Sequence, residues 1–326
     1  MPATAYAAAP RVAAPADAGS ASAMVRWTQW EALSEWLGEV LLRPRGCADF
    51  AMEAGGLADA LMRLTYEDPD VSIFHMVHAR HEKVRRYSVL HAMHTGMLLA
   101  LIGRRKEWGA ARTATAVKAG LTMNIAITAL HNELALQTHP LTEDQQARIQ
   151  RHPLDSARML GELGVQDTDW LTAVAQHHEE PDGHGYPGRL VQVDALADAI
   201  RTCDVFGAKI SPRIGRDGMP TPRAAAEIFR QRSASYFGAT IIRELGLYPP
   251  GCLVELDCGE RGVVVQRSRD PKAPQVVLIG QGQGVLPLAT LRRADTGRGT
   301  GRQIVGAATD QYWSEHIPPD AILRAR

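Results

Sequence analysis

The sequence predicts a mainly α-helical protein, in which a helical bundle is followed by a small antiparallel β unit. Through most of the first 245 residues, apolar side chains recur at the spacing of one face of an α-helix. After Pro249-Pro250-Gly251 the pattern changes, and valine and leucine follow a period near two, which is typical of strands. The composition is that of a globular chain, with 45% hydrophobic and 22% charged residues, so its 326 residues can bury a real core.

Charge and cysteine content exclude several classes of protein. Lys and Arg together number 36, as do Asp and Glu, so bulk charge gives no support to binding of a nucleic acid polymer. The four cysteines form no CxxC pair, which favours reduced thiols in a cytoplasmic protein over a disulfide scaffold or a zinc ribbon. No apolar run approaches the roughly 20 residues of a membrane-spanning helix, and the N-terminus lacks the pattern of a secretory signal. We therefore expect a cytoplasmic protein with no membrane partner.

The N-terminal part of the chain divides into a tail and a helical region. Residues 1–25 are rich in Ala and Pro and contain almost no bulky side chains, so we predict a disordered tail. Residues 26–70 are predicted to form an N-terminal helical region. Its first helix is expected to begin at Thr28, because Thr28-Gln29-Trp30-Glu31 matches a capping box.

A longer helical part, residues 71–247, is predicted to be the main domain. Pro153 suits the first turn of a helix, and in this prediction it separates two short helices. The eight residues from Pro181 to Gly188 contain two Pro and three Gly and are predicted to form a loop. Helical periodicity covers residues 82–108, 111–137, 142–151, 153–163, 169–178, 193–208 and 221–244.

Residues 248–294 are predicted to form the small β appendage. Two stretches, residues 253–266 and 275–279, favour Val and Leu near a period of two and are separated by turn residues. We interpret them as an antiparallel unit. From there onward the pattern is weak, and residues 295–326 are predicted to form an extended C-terminal tail.

The histidines give the sharpest functional signal. The segment from His177 to Pro187 has the sequence HHEEPDGHGYP. Two adjacent histidines at a helix end can direct both imidazoles into one pocket, and a glycine-rich loop lets the backbone approach a ligand closely. Taken alone, the pair His177-His178 leaves two interpretations open: metal ligands, or a solvated helix end followed by a polar turn.

The complete segment resembles the HHExxDGxGYP signature of the HD-GYP family, a branch of the HD phosphohydrolases, and it matches that signature at every defining position. The resemblance extends over about residues 87–229. It implies an HD-type helical bundle with a metal site, and many members of that family hydrolyse the bacterial second messenger cyclic di-GMP. The predicted function is therefore that of a metal-dependent phosphodiesterase in cyclic di-GMP signalling.

The resemblance also implies a set of metal ligands. The first histidine of the family corresponds best to His94, and His91, three residues earlier on the same helix, could assist it or take its place. Where the family has its HD dipeptide, this chain has His131-Asn132. The predicted metal ligands are His94, His131, His152, His177, His178 and Asp204.

Three positions depart from the family pattern and weaken the expected chemistry. Asn132 is neutral where the family has an aspartate, Ala135 stands where the family has a lysine, and Gly207 replaces a second aspartate. A two-metal hydrolase needs anionic oxygens to bridge its cations, whereas imidazoles hold cations such as Fe, Mn or Zn without adding negative charge. We therefore expect one divalent metal rather than two, phosphodiesterase activity that is weakened or lost, and no assigned catalytic residue.

Two segments are implied as substrate contacts, the glycine-rich loop and an arginine segment that reads RPYR-like in the family. Arginine forks suit phosphate or the guanine edge, although the alternative that both arginines are only solvated stays open. The predicted substrate-binding residues are Asp182, Gly183, Gly185, Tyr186, Pro187, Arg213 and Arg216.

Two other functions stay open beside hydrolysis. The domain could be a receptor that keeps a pocket for cyclic di-GMP and has lost turnover. Alternatively, the GYP loop could contact signalling partners such as GGDEF-domain proteins. Metal analysis combined with a turnover assay separates the three: turnover indicates a hydrolase, binding without turnover a receptor, and neither of these a partner-binding module.

Overall fold

The structure of the chain is a computed structural model that describes residues 19–78, 81–230, 235–282, 284–308 and 317–326. Helices make up most of the described part and a small antiparallel sheet follows them, so the predicted fold class is confirmed. The helices are α1 (Gly19–Leu42), α2 (Phe50–Glu67), α3 (Pro69–Val77), α4 (Tyr87–Arg105), α5 (Ala110–Thr122), α6 (Thr128–Leu136), α7 (Glu143–Glu162), α8 (Thr168–Gln176), α9 (Ala195–Ile210), α10 (Thr221–Arg230), α11 (Ser235–Leu245) and α12 (Pro319–Arg324). The strands are β1 (Leu253–Leu256), β2 (Glu260–Gln266), β3 (Gln275–Gln281), β4 (Gly284–Val285), β5 (Arg292–Ala294) and β6 (Ile304–Ala307).

The first helix begins earlier than the sequence predicts. α1 already includes residues 19–25, and Ala23 is fully buried. The Thr28 hydroxyl does not cap a helix start, because it donates to the Met24 carbonyl at 3.2 Å, one turn earlier in the same helix. The capping-box prediction is therefore wrong. The remainder of the predicted tail, residues 1–18, lies outside the described residues.

α4 is the central helix of the bundle. Every residue from Tyr87 to Gly103 is buried, and α4 packs against α2, α5 and α9. A helix that is surrounded on all sides has no solvent-facing stripe, so its two histidines, His91 and His94, lie in the protein interior. No described helix combines the length and the apolar character needed to cross a bilayer.

The predicted helix over residues 111–137 is divided into α5, a 3-10 turn at Ile125–Ile127 and α6. In the turn, the Ala126 N–H donates to the Ser156 hydroxyl at 3.3 Å. Side-chain bonds of this kind compete with the helical ladder. As a result, α6 is a separate short helix that packs against α4 and carries His131 toward it.

α7 is one helix where two were predicted, because it continues through Pro153. It begins with a capping box: the Thr142 hydroxyl accepts the Gln145 N–H at 3.2 Å, and the Gln145 side chain accepts the Thr142 N–H at 3.0 Å. A proline inside a helix removes one hydrogen bond of the ladder. The helix nevertheless continues, with Pro153 buried, and α7 as a whole packs against α8.

The C-terminal sheet has the strand order β4-β3-β2-β1-β6, β5 also pairs with β3, and all pairs are antiparallel. β6, at Ile304–Ala307, lies beyond the predicted β appendage. Farther along, Ile322 of α12 is buried in the main core and Arg326 forms an ion pair with Asp68 at 2.7 Å. The extended tail predicted over residues 295–326 is therefore corrected for the part described, because its short apolar stretches pack onto the sheet and the helices.

Candidate metal centre

Three histidines meet in the interior where α7 approaches the end of α8. His152 belongs to α7, and His177 and His178 directly follow the last residue of α8. The Nε2 atoms of His152 and His177 are 3.0 Å apart, and one ring nitrogen from each of the three lies within 4.8 Å of the others. Imidazole nitrogens gathered this closely can serve as ligands of one cation. We call these three residues the histidine triad.

Backbone hydrogen bonds fix the tautomers of two members of the histidine triad. The Nδ1 atom of His152 donates to the Ile149 carbonyl at 2.5 Å, and that of His177 donates to the Val174 carbonyl at 2.6 Å. Because a carbonyl only accepts, both Nδ1 atoms carry the hydrogen, and both Nε2 atoms present lone pairs when the rings are neutral. Two facing lone pairs at 3.0 Å repel each other, and a cation between them removes the repulsion. The donor set therefore fits a divalent metal ion.

Burial keeps the histidine triad neutral. It lowers the pKa of His152 to about 3, with the neighbouring His177 as a further cause. Burial likewise lowers the pKa of His177 and, more strongly, that of His178. The neutral imidazole is the form that binds metals, so at neutral pH no proton has to leave before a cation binds.

A second group of polar residues lies beside the histidine triad. His91 Nε2 is 2.6 Å from Asp204 Oδ1, the ring of His131 is 6.1 Å from that of His91, and His178 Nδ1 is 3.9 Å from Asp204 Oδ2. Burial on its own raises the pKa of Asp204, but the hydrogen bond and the charge of His91 hold it below its usual range. Asp204 is therefore an anion next to the triad. We call His91, His131 and Asp204 the Asp204 group.

The structure brings five of the six predicted ligands together and places the sixth elsewhere. His94 lies one turn farther along α4 and lines a different, smaller cavity beside Met76 and Leu90. His91, not His94, lies beside Asp204, so the prediction of His94 as the first ligand is corrected to His91. Residues three apart on a helix point about 60° apart, and both positions are buried because α4 is central. Hydrophobic pattern alone could not separate them.

Two of the three positions that depart from the family pattern, Asn132 and Ala135, lie in different environments. The Asn132 side chain accepts the Ser88 N–H at 2.9 Å, so it holds the first turn of α4. Ala135 is fully buried against Val84 and Tyr87. Its carbonyl accepts a backbone N–H at 2.9 Å from Ile214, in the loop that carries Arg213. No room exists at Ala135 for a lysine without displacing these groups.

A cavity of about 400 Å³ opens beside the two groups of residues, and Asp204 is the sole carboxylate among the described residues that line it. The Arg213 guanidinium lies over the Tyr87 ring at 4.7 Å and donates to the Tyr87 hydroxyl at 2.7 Å. Four buried polar atoms of lining residues have no hydrogen-bond partner among the described residues: His91 Nδ1, Arg213 Nε, Asn124 Oδ1 and His131 Nδ1. Buried groups of this kind need a partner, so the cavity fits a polar ligand.

Two of these lining residues, Tyr87 and Asn124, were missed by the sequence analysis. Tyr87 lies four residues before His91, and its ring stacks on that of His91 with centroids 5.5 Å apart. Matching the first histidine of the family to His91 instead of His94 would have drawn attention to Tyr87, one helical turn before it. Asn124 lies in the break between α5 and α6, and no motif marks it.

The loop after the histidine triad is held by a buried carboxylate. Glu179 accepts the Gly188 N–H at 2.5 Å and the Leu190 N–H at 2.9 Å. At Gly185 an added Cβ would lie 2.3 Å from the Glu180 backbone nitrogen, so only glycine fits there. We call the two hydrogen bonds of Glu179 the clamp. In the loop that it holds, the Tyr186 ring stacks on His178, with ring centroids 4.6 Å apart.

The predicted substrate-binding residues divide between two environments. Tyr186 and Arg213 line the cavity. Asp182 instead accepts the His184 N–H at 3.0 Å in the exposed part of the loop, and Arg216 donates to the Ala208 carbonyl at 2.6 Å. Gly183, Gly185 and Pro187 shape the loop and are not among the described residues that line the cavity.

Comparison with known proteins assigns the chain to a family. The sequence model of the HD domain family matches residues 75–241, which is just over half of the chain. Among solved structures, Bd1817 from Bdellovibrio bacteriovorus, described as an HDG"Y"P protein, superposes with a TM-score of 0.51 at 14% identity, covering 69% of this chain and 72% of that one. This likeness concerns the fold.

Two curated relatives share more sequence. Cyclic di-GMP phosphodiesterase PA4108 of Pseudomonas aeruginosa is 29% identical over 239 residues, which cover 70% of this chain and 56% of the relative. Cyclic di-GMP phosphodiesterase response regulator RpfG of Xanthomonas campestris is 30% identical over 107 residues, which cover 32% of this chain and 28% of the relative. The chain thus spans about half the length of the first relative and less of the second. From the matched domain and the complete signature between His177 and Pro187, the chain belongs to the HD domain family, in its HD-GYP branch.

Proposed function

We propose that this chain is a cyclic di-GMP protein of the phosphodiesterase type that binds one divalent cation and hydrolyses its ligand weakly or not at all. The observation that carries the proposal is the pair of Nε2 lone pairs of His152 and His177, 3.0 Å apart and both fixed by backbone carbonyls. The names of the two curated relatives support cyclic di-GMP as the ligand. Fe, Mn or Zn is the proposed metal, because imidazole nitrogens suit Fe and Zn, and a carboxylate such as that of Asp204 suits Mn.

Each half of the centre has its own task in this proposal. A divalent cation in the histidine triad would supply a Lewis acid that activates water for attack on a phosphodiester. Arg213 can donate its unpaired Nε–H to a phosphate oxygen, and its hold on Tyr87 keeps the guanidinium at the cavity wall. Asn124 Oδ1 can accept from a hydroxyl or amino group of the same ligand.

Weak turnover follows from the charges that remain in the Asp204 group. A second cation needs bridging anions, yet Asp204 is the sole carboxylate among the described lining residues, and one of its oxygens already accepts from His91. Asn132 adds no charge, and its oxygen is bound to the Ser88 N–H. The loop that carries Arg213 is hydrogen-bonded to the Ala135 carbonyl through the Ile214 N–H. It therefore places a positively charged guanidinium at the cavity, where the family lysine is missing.

The test compares binding and turnover of cyclic di-GMP in one preparation. We expect the unmodified protein to contain about one metal equivalent, to bind cyclic di-GMP in calorimetry, and to hydrolyse it slowly or not at all after addition of Mn²⁺, Fe²⁺ or Zn²⁺. Arg213→Gln should weaken binding at least about ten-fold, the value of a lost charged hydrogen bond. Arg158→Gln, an exposed arginine of α7, is the matched control and should change nothing.

Two outcomes contradict the proposal in different ways. Absence of cyclic di-GMP binding by the unmodified protein, with and without metal, would remove the ligand. Fast hydrolysis that chelation abolishes would show that the ligands present suffice for full activity.

A receptor function is the second candidate, and the same cavity favours it. Four polar atoms of its lining residues have no hydrogen-bond partner among the described residues, and a bound ligand can satisfy them without being cleaved. Binding with no turnover under any metal would select the receptor. Contact of the GYP loop with GGDEF-domain proteins and a cytoplasmic location stay predictions.

A further inference from the structure

The helix that carries His152 contains a proline directly after it. In an α-helix the N–H of each residue donates to the carbonyl four positions earlier. Pro153 has no N–H, so the carbonyl of Ile149 receives no donor from the helical ladder. This leaves the Ile149 carbonyl available as an acceptor for another donor.

The free carbonyl is occupied by the side chain of the neighbouring histidine. His152 Nδ1 donates to the Ile149 carbonyl at 2.5 Å. His152 is 1% exposed, so the donating imidazole is shielded from water. The bond sets the ring orientation and leaves Nε2 directed at His177 Nε2, at 3.0 Å.

His177 reaches the same geometry by a different route. Its Nδ1 donates to the Val174 carbonyl, also three residues earlier, at 2.6 Å. Val174 lies in the last turn of α8, where helix carbonyls have no ladder donors. One carbonyl is thus released by the helix end and the other by a proline inside a helix. Both releases serve the same kind of bond to a histidine of the triad.

We propose that Pro153 is a positioning residue for His152: by removing the competing N–H it reserves the Ile149 carbonyl for Nδ1 and so presents Nε2 as a metal ligand. The inference rests on the metal centre proposed above. It gives a reason for a proline inside α7: the proline costs helix stability, and in return the ligand is oriented.

The test is the variant Pro153→Ala, which restores the N–H and lets the ladder compete for the Ile149 carbonyl. We expect opposite changes in two quantities. The melting temperature of the metal-free protein should stay the same or rise, because alanine is the better helix residue. The affinity for Zn²⁺, measured by competition with a chromophoric chelator, should fall about ten-fold or more, as for other partners that orient metal-bound histidines.

A matched control and a spectroscopic readout separate positioning from general stability. Pro69→Ala changes a proline in the first turn of α3, where no ladder bond is lost, and should leave Zn²⁺ affinity unchanged. In nitrogen-15 NMR of the metal-free protein, His152 should show a hydrogen on Nδ1 in the unmodified chain and a shifted or mixed tautomer in Pro153→Ala.

Failure of this inference is distinguishable from failure of the metal centre. If His152→Ala loses Zn²⁺ and Pro153→Ala keeps the affinity and tautomer of the unmodified protein, the role of Pro153 is overturned and the centre stands. If His152→Ala leaves Zn²⁺ binding unchanged, the centre itself is wrong. Absence of a hydrogen on Nδ1 of His152 in the unmodified protein overturns the inference whether or not any variant folds.

Discussion

The histidine triad and the Asp204 group lie side by side, and they are organised differently. In the triad, Nδ1 of His152 and Nδ1 of His177 each donate a hydrogen bond to a backbone carbonyl, and the Nε2 atoms point inward. In the Asp204 group, Nε2 of His91 donates a hydrogen bond to Asp204, while its Nδ1 has no hydrogen-bond partner among the described residues. The triad is preorganised for a cation, whereas the Asp204 group neutralises itself by internal hydrogen bonding. This difference supports the proposal of one cation, held by the triad.

Gly207 gives a physical reason to expect weaker cation binding by the Asp204 group than by the triad. An added Cβ at Gly207 would lie 3.4 Å from Nδ1 of His91, an ordinary contact distance. A side chain at this position could therefore orient His91 as the carbonyls orient the triad. The chain has glycine there, and the imidazole lacks that support.

The largest expected effect tests whether the cation depends on the triad. His177→Ala should remove nearly all bound metal, because a preorganised neutral ligand is lost without replacement. His91→Ala is the matched control in the Asp204 group and should retain close to one equivalent. Metal content of both proteins, purified under identical metal supply, checks this. Retention by His177→Ala together with loss by His91→Ala would reverse the ranking of the two groups.

Introducing the family lysine at position 135 is expected to destabilise the fold beside the Asp204 group. Ala135→Lys would put an ammonium group where Ala135 is fully buried against Val84 and Tyr87. We expect a loss of about 3 kcal/mol or more in the free energy of unfolding, from overpacking and burial of charge. Urea denaturation measures it, with Glu133→Lys on the exposed side of α6 as the control. Unchanged stability would mean that the Arg213 loop can move aside.

The pH dependence of stability is expected to come from the triad. His152 has its pKa lowered to about 3 by burial and by His177, so between pH 6.5 and 3 the unfolded chain binds a proton that the folded chain does not. This contribution to stability is full above pH 6.5 and is lost as the pH falls toward 3. From pH 7 to pH 5 the metal-free protein should lose about 2 kcal/mol at this site. Urea unfolding at both values measures the loss, and His152→Ala should reduce it.

The smallest expected effect is that of restoring the family aspartate. Asn132→Asp keeps the bond to the Ser88 N–H and puts a carboxylate at the N-terminal end of α4, which should add about 0.5 kcal/mol of stability. We expect metal content to rise only slightly above that of the unmodified protein, because the new charge is held at the helix end. Parallel metal analysis tests this. A gain of a full second equivalent would show that the charge reaches the cavity.

The sequence predicts much of this site because motif spacing is local. The segment from His177 to Pro187 identifies the family, and it lies at the expected end of α8. The family resemblance favours His94 over His91 as the first ligand, but both are buried on α4, and only the position of Asp204, on α9, distinguishes them. Pro153 was interpreted as a helix start since the packing that carries α7 through it is tertiary.

The clamp at Glu179 has a consequence for the route by which a ligand enters. The GYP loop is bound to the end of α8 through the amides of Gly188 and Leu190, and Tyr186 N–H donates to the His178 carbonyl at 3.1 Å. A loop tied in this way moves together with the triad and does not open as a lid. We therefore expect a ligand to enter at another part of the rim, the connection between α6 and α7, where the exposed Leu141 lines the wall.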